Sequence, residues 1–161
     1  MVIGGSIGEL AIGEGPSGAS PRDLYAQMLE RIDALEKGMA QLGLLPAAIG
    51  HNRPQEDEPL TAEDRAALAD AIAILRSQPP QPAVRPADAV RAAAQLRASA
   101  WKLGAYLAPK VDEFISEFVK AAGAEAGKRT MQFGFWVSLY LLLMEALQAA
   151  TTWLQALPTS P

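Results

Sequence analysis

Three stretches of the chain carry a regular alternation of apolar and polar positions and a fourth is almost continuously apolar, and each predicts a helix. In the first, Tyr25, Met28, Ile32, Leu35, Met39 and Leu42 recur at intervals of 3, 4, 3, 4 and 3. That is the a/d spacing of a heptad seam. Leu24 and Leu29 flank the seam and widen the stripe. Ser20 suits the cap, because its hydroxyl accepts from amides that the first turn leaves free. Pro21 fits the first turn, where no amide hydrogen is required. Asp23 suits the positive end of the helix dipole, and Gly43 is a suitable stop. These signals place a helix over 20–43. Its seam serves either packing on the chain's own helices or the joining of two chains. The six seam residues are the ones that would carry self-association, although Met28 and Met39 specify a partner and register poorly.

The second helix is expected over 61–78. Thr61, with Asp64 three residues on, resembles a capping box in which Asp replaces the usual Glu or Gln. Leu68, Ile72 and Leu75 form a narrow stripe behind it. The third unit, 87–129, again keeps heptad spacing through Ala89, Ala93, Leu96, Ala100, Leu103 and Leu107. Pro109 is expected to break or kink it, since proline removes a backbone bond and crowds the preceding turn. Beyond Pro109, Val111, Phe114, Ile115, Phe118, Val119 and Ala122 form an apolar face. A face of this kind suits a protein surface or a membrane interface.

The fourth stretch, 130–157, is apolar almost all round. Residues 133–150 would span about 27 Å as a helix, against a hydrocarbon layer of about 30 Å. Its Phe, Val and Leu residues together favour insertion by roughly 4 kcal/mol, and a central acidic residue opposes it by about 2.5 to 3.5. Glu145 lies off centre, while Gln132 and Gln148 add further cost. Lys128 and Arg129 precede the run, and Glu145 is the last charged residue of the chain. This asymmetry matches the positive-inside pattern with the N-terminal part cytoplasmic. Trp153, and less well Trp136, would anchor at the interfaces. Ser138, Glu145, Gln148, Thr152 and Gln155, at intervals of 7, 3, 4 and 3, form one polar stripe. In lipid that stripe needs a partner helix or a watery path. In a soluble bundle it is the solvent side of a half-buried helix. The expectation is a helix inserted in an inner or plasma membrane, and the alternative is a core helix of a cytoplasmic bundle.

Between the helices, proline and glycine set linkers at 44–60 and 79–86, and residues 1–19 form a glycine-rich tail. That tail lacks the basic start and unbroken apolar run of a secretory signal. There are no cysteines, and the net charge is −4. Disulfides and thiolate metal sites are thereby excluded, and duplex nucleic acid is not an expected partner. His51 is the one histidine, and the acidic run 56–58 beside it reads as a solvated charge cluster. No cofactor, no metal and no catalytic constellation of acid, base and nucleophile is expected.

One segment, "IGHNRPQE" at 49–56, resembles the GHN-x-PPE tag of uncharacterised small bacterial helical proteins. Those proteins often continue into an alanine- and glycine-rich segment similar to "FVKAAGAEAGK" at 118–128. Gln55 stands where the tag has a second proline. The resemblance implies kinship, and it brings no function with it. In physical terms Gly50 and Asn52 favour turns and Pro54 holds the chain extended, so Gly50, His51, Asn52 and Pro54 make a candidate docking segment.

Together these readings describe an all-α protein with a C-terminal hydrophobic helix. The expected function is a non-catalytic, self-associating, membrane-attached scaffold or adaptor. Lipid and an unidentified protein are its expected partners, with a homo-oligomer as a further one. The alternatives are a holin-like pore-forming protein and a soluble helical-bundle interaction protein.

Overall fold

Two helices begin with the same reciprocal contact. The Ser20 hydroxyl accepts from the Asp23 amide at 3.1 Å while the Asp23 carboxylate accepts from the Ser20 amide at 3.4 Å. Thr61 and Asp64 repeat the exchange at 3.1 and 2.9 Å. These boxes open α1 (Pro21–Ala40) and α2 (Ala62–Arg76), and each satisfies two amides that a helix start leaves without partners. Then come α3 (Ala87–Lys120) and α4 (Ala124–Ala156). The computed structural model describes residues 18–41, 59–120 and 124–159, without the side chains of 114, 117–120 and 124–132. Among the described residues there is no strand, and the fold is all-α.

The last helix lies at the centre. α4 packs against both α1 and α3, α2 packs on α3, and α2 touches α1 more lightly. The reason lies in α4's inner face. Trp136, Leu139, Leu143, Ala146, Ala150, Trp153 and Leu157 are all buried, at intervals of 3, 4, 3, 4, 3 and 4. A heptad seam is therefore concealed within the general apolarity of this helix. Facing it are Tyr25, Met28, Ile32 and Leu35 of α1 and the row from Ala89 to Leu107 of α3, also buried. Alanine at 89, 93, 100, 146 and 150 leaves little side chain between backbones, so these helices approach closely. Gly38 serves the same end, because a Cβ there would lie 2.8 Å from Leu142 Cδ1.

The linker between α2 and α3 is fastened to the end of α4. The buried Trp153 ring donates through Nε1 to the Pro80 carbonyl at 3.0 Å. It also meets the Tyr25 ring at 5.2 Å between centroids. The Tyr25 hydroxyl lies 2.9 Å from the Arg76 carbonyl and 3.1 Å from that of Leu75, so its one proton serves the last carbonyls of α2, of which that of Leu75 also accepts from the Gln78 amide at 3.3 Å. The Arg85 amide donates to the Pro158 carbonyl at 2.7 Å.

Of the unit expected over 87–129, α3 covers 87–120 and α4 opens at Ala124, and residues 121–123 lie outside the described residues. Pro109 does not break α3, which runs on to Lys120. Both Pro109 and Ala105, whose carbonyl loses its donor, are exposed, so the proline sits where the lost bond is least costly.

Candidate functional site

A second apolar row runs along α3 beside the buried one. Val90, Ala94, Arg97, Trp101, Gly104, Ala108, Val111 and Ile115 follow intervals of 4, 3, 4, 3, 4, 3 and 4. Every position is exposed except the half-buried Gly104. Trp101 leaves 78% of its surface to solvent. Folding gains nothing from such an arrangement, since a tryptophan is among the largest apolar payloads a chain possesses.

Trp101 stands at the edge of an open groove of about 580 Å³ between α3 and α4. Arg97, Trp101 and Gly104 line the α3 side, and Tyr140, Met144 and Leu147 line the α4 side. Gly104 sets the depth. A Cβ there would lie 3.1 Å from Tyr140 Cε1, so glycine lets the tyrosine ring rest close on the α3 backbone. A smaller depression of about 280 Å³ continues along α4 past Leu141, Met144, Glu145 and Gln148. Arg97 is the charged residue of the main groove, and among the described residues no ion pair holds it.

Charged contacts hold the helices around the groove. Lys102, next to Trp101 in the chain, reaches the Asp64 carboxylate at 2.8 and 2.9 Å. Chiefly through that Lys102 hydrogen bond, against partial burial and with help from Thr61, the Asp64 carboxyl is held below the usual carboxylate range. The contact joins the start of α2 to α3. Arg76 bridges Asp33 at 2.8 Å and also Glu36, which raises its already high pKa. Burial raises the Tyr25 phenol in spite of the nearby Arg76 charge.

The structure distributes the residues expected from sequence in three ways. Of the self-association seam, Tyr25, Met28, Ile32 and Leu35 are buried and Met39 is half-buried against the chain's own core. Intrachain packing thus occupies the described part of that seam, and Leu42 lies outside the described residues. Of the polar stripe, Ser138, Glu145, Gln148 and Gln155 are exposed, and Thr152 is half-buried. The Thr152 hydroxyl donates back to the Gln148 carbonyl at 2.8 Å, and Glu145 pairs with Arg31 of α1 at 2.9 Å. The stripe is the outer side of α4 in this bundle. Gly50, His51, Asn52 and Pro54 lie outside the described residues.

Sequence reasoning placed Val111 and Ile115 on an apolar face beyond Pro109 and missed the rest of the outward row, Tyr140 and the groove. The signal was present: Trp101 sits one residue past Ala100 of the inner row, and counting from it in both directions yields a second heptad series. No group of three or more His, Cys, Asp or Glu side chains converges among the described residues. What the groove offers is an apolar ridge, an aromatic floor and one cation, which is the equipment of recognition. Comparison with protein-family models, with curated proteins and with solved structures finds no match to this chain.

Proposed function

We propose that this chain is a non-catalytic helical interaction protein. Its four-helix core serves as a rigid support, and its α3–α4 face is the docking surface. The observation that carries this reading is the outward heptad row with Trp101 at its centre, 78% exposed beside a ready groove. Rows of anchors at i, i+3, i+4 and i+7 beside a groove are how helices recognise helices. A photo-crosslinking residue at position 101, with one at the exposed Glu63 as control, tests it in cells. Discrete protein adducts from 101 and none from 63 are expected, and a clean chain from both positions would defeat the reading.

A second reading, attachment to a membrane with the N-terminal part cytoplasmic, has one observation in its favour. The segment Phe133–Ala156 is long and apolar enough to cross a bilayer by length and composition. Against it stand the seven buried residues of the α4 inner face and the Arg31–Glu145 pair. A spanning α4 would surrender those contacts or draw a charged α1 into lipid, which is costly. Carbonate washing of cell membranes separates the two. Release of the chain into the supernatant supports the bundle, and retention in the pellet supports the anchor.

A further inference from the structure

We infer that the occupant of the α3–α4 face is a second copy of this chain, docked through antiparallel pairing of the two α3 helices. The inference rests on the interaction reading above and names its partner.

The argument is the self-complementarity of the row. Its intervals are the same read from either end, so a two-fold axis between Trp101 and Gly104 brings every member opposite another. Trp101 then faces the partner's Gly104, where the missing Cβ admits the partner's own Tyr140 ring and the open groove beside that ring leaves room for the indole. Arg97 faces the partner's Ala108, a long side chain against a methyl. Ala94 faces the partner's Val111, and Val90 the partner's Ile115. Large meets small or medium at each layer, as close packing requires.

Charge chooses the direction. In a parallel pair, Arg97 would lie against the partner's Arg97 and Trp101 against the partner's Trp101, which repels in the first case and crowds in the second. In the antiparallel pair the two arginines are separated. Beside the row, Arg91 comes level with the partner's Asp112, opposite in sign, and Ala98 with the partner's Ala105, where small side chains permit close approach. Arg91 already contacts Asp88 of its own helix, whereas Asp112 has no ion-pair partner among the described residues. All four of these positions are exposed. The row extends about 37 Å along the helix, three and a half heptads, enough for a stable coiled-coil pairing. A lone charged residue within a seam is also the device by which such pairs fix register.

The absence of cysteine makes the register directly testable in the full chain. The double substitution Ala94→Cys and Val111→Cys is expected to yield a disulfide-linked dimer on mild oxidation, and Ala94→Cys alone is expected to yield none. In sedimentation at high micromolar concentration the native chain should run at twice its 17.1 kDa mass. Trp101→Glu should run as a monomer with unchanged helix content by circular dichroism. Ala108→Glu, which sets a carboxylate opposite Arg97 twice in the dimer, should tighten association roughly three- to tenfold.

A monomeric native chain, a dimer that survives Trp101→Glu, or cross-linking from Ala94→Cys alone would each overturn the inference. The failures are distinguishable. A monomeric chain whose position 101 still captures a different protein loses the second copy and keeps the interaction surface. A monomeric chain that captures nothing loses both.

Discussion

The two apolar rows of α3 have the same spacing and opposite fates. The inner one, from Ala89 to Leu107, is built of alanine and leucine and is buried. The outer one, from Val90 to Ile115, contains a tryptophan, an arginine and a glycine, and it faces water. Periodicity establishes that a helix has a face to bury. Whether the burial happens within the chain depends on a matching face elsewhere, and the seam of α4 matches only the inner row. Side-chain size marks the difference. Alanines admit a neighbouring helix closely, whereas Trp101 and Arg97 would hold α4 away.

That contrast is broken most severely from the inside. Leu103→Ala should cost about 2 to 5 kcal/mol, through lost transfer energy and the cavity left behind. Trp101→Ala should change the stability of the monomer by no more than about 0.5 kcal/mol. Urea unfolding of both variants at low concentration measures the gap, and equal losses would show the outer row to be core. A smaller effect sharpens the inner side. Tyr25→Phe keeps the ring against Trp153 and removes the hydroxyl that serves the end of α2. A loss of about 1 kcal/mol is expected, and an unmoved urea midpoint would mean that water replaces the phenol. The smallest effect concerns pH. The Asp64 carboxyl titrates below its ordinary range in the folded chain, so its contribution is present above that range and is lost as pH falls through it. Asp64→Asn should flatten the acid dependence of stability, and an undiminished slope would place the effect on another carboxylate.

The degree to which this architecture could be read from the chain varies by element. The starts of α1 and α2 were legible because Ser20–Asp23 and Thr61–Asp64 are local devices, complete within one turn. The seam of α1 and the inner row of α3 were legible because polar residues on the other faces give the periodicity contrast. α4 lacks that contrast, and its seam from Trp136 to Leu157 disappears among equally apolar neighbours. Its polar stripe was visible, but its meaning depends on Arg31, more than a hundred residues earlier, which pairs with Glu145. Most of the outer row of α3 escaped notice for a related reason. Two adjacent heptad rows on one helix read as a single broad stripe, and only the position of α4 decides which residues remain outside.

The central place of α4 has a further consequence. During synthesis α1 and α3 emerge before the helix that both of them embrace. Until it arrives, Met28, Ile32 and Leu35 of α1 and Leu96, Leu103 and Leu107 of α3 lack the helix that joins them, with only the lighter contact of α2 on α1 between the two sides, and contacts this distant in sequence form slowly. The nascent chain therefore passes through a stage in which two greasy helix faces are presented at once. Such a stage invites aggregation, and it marks this interval as the point at which a chaperone would find the most to hold.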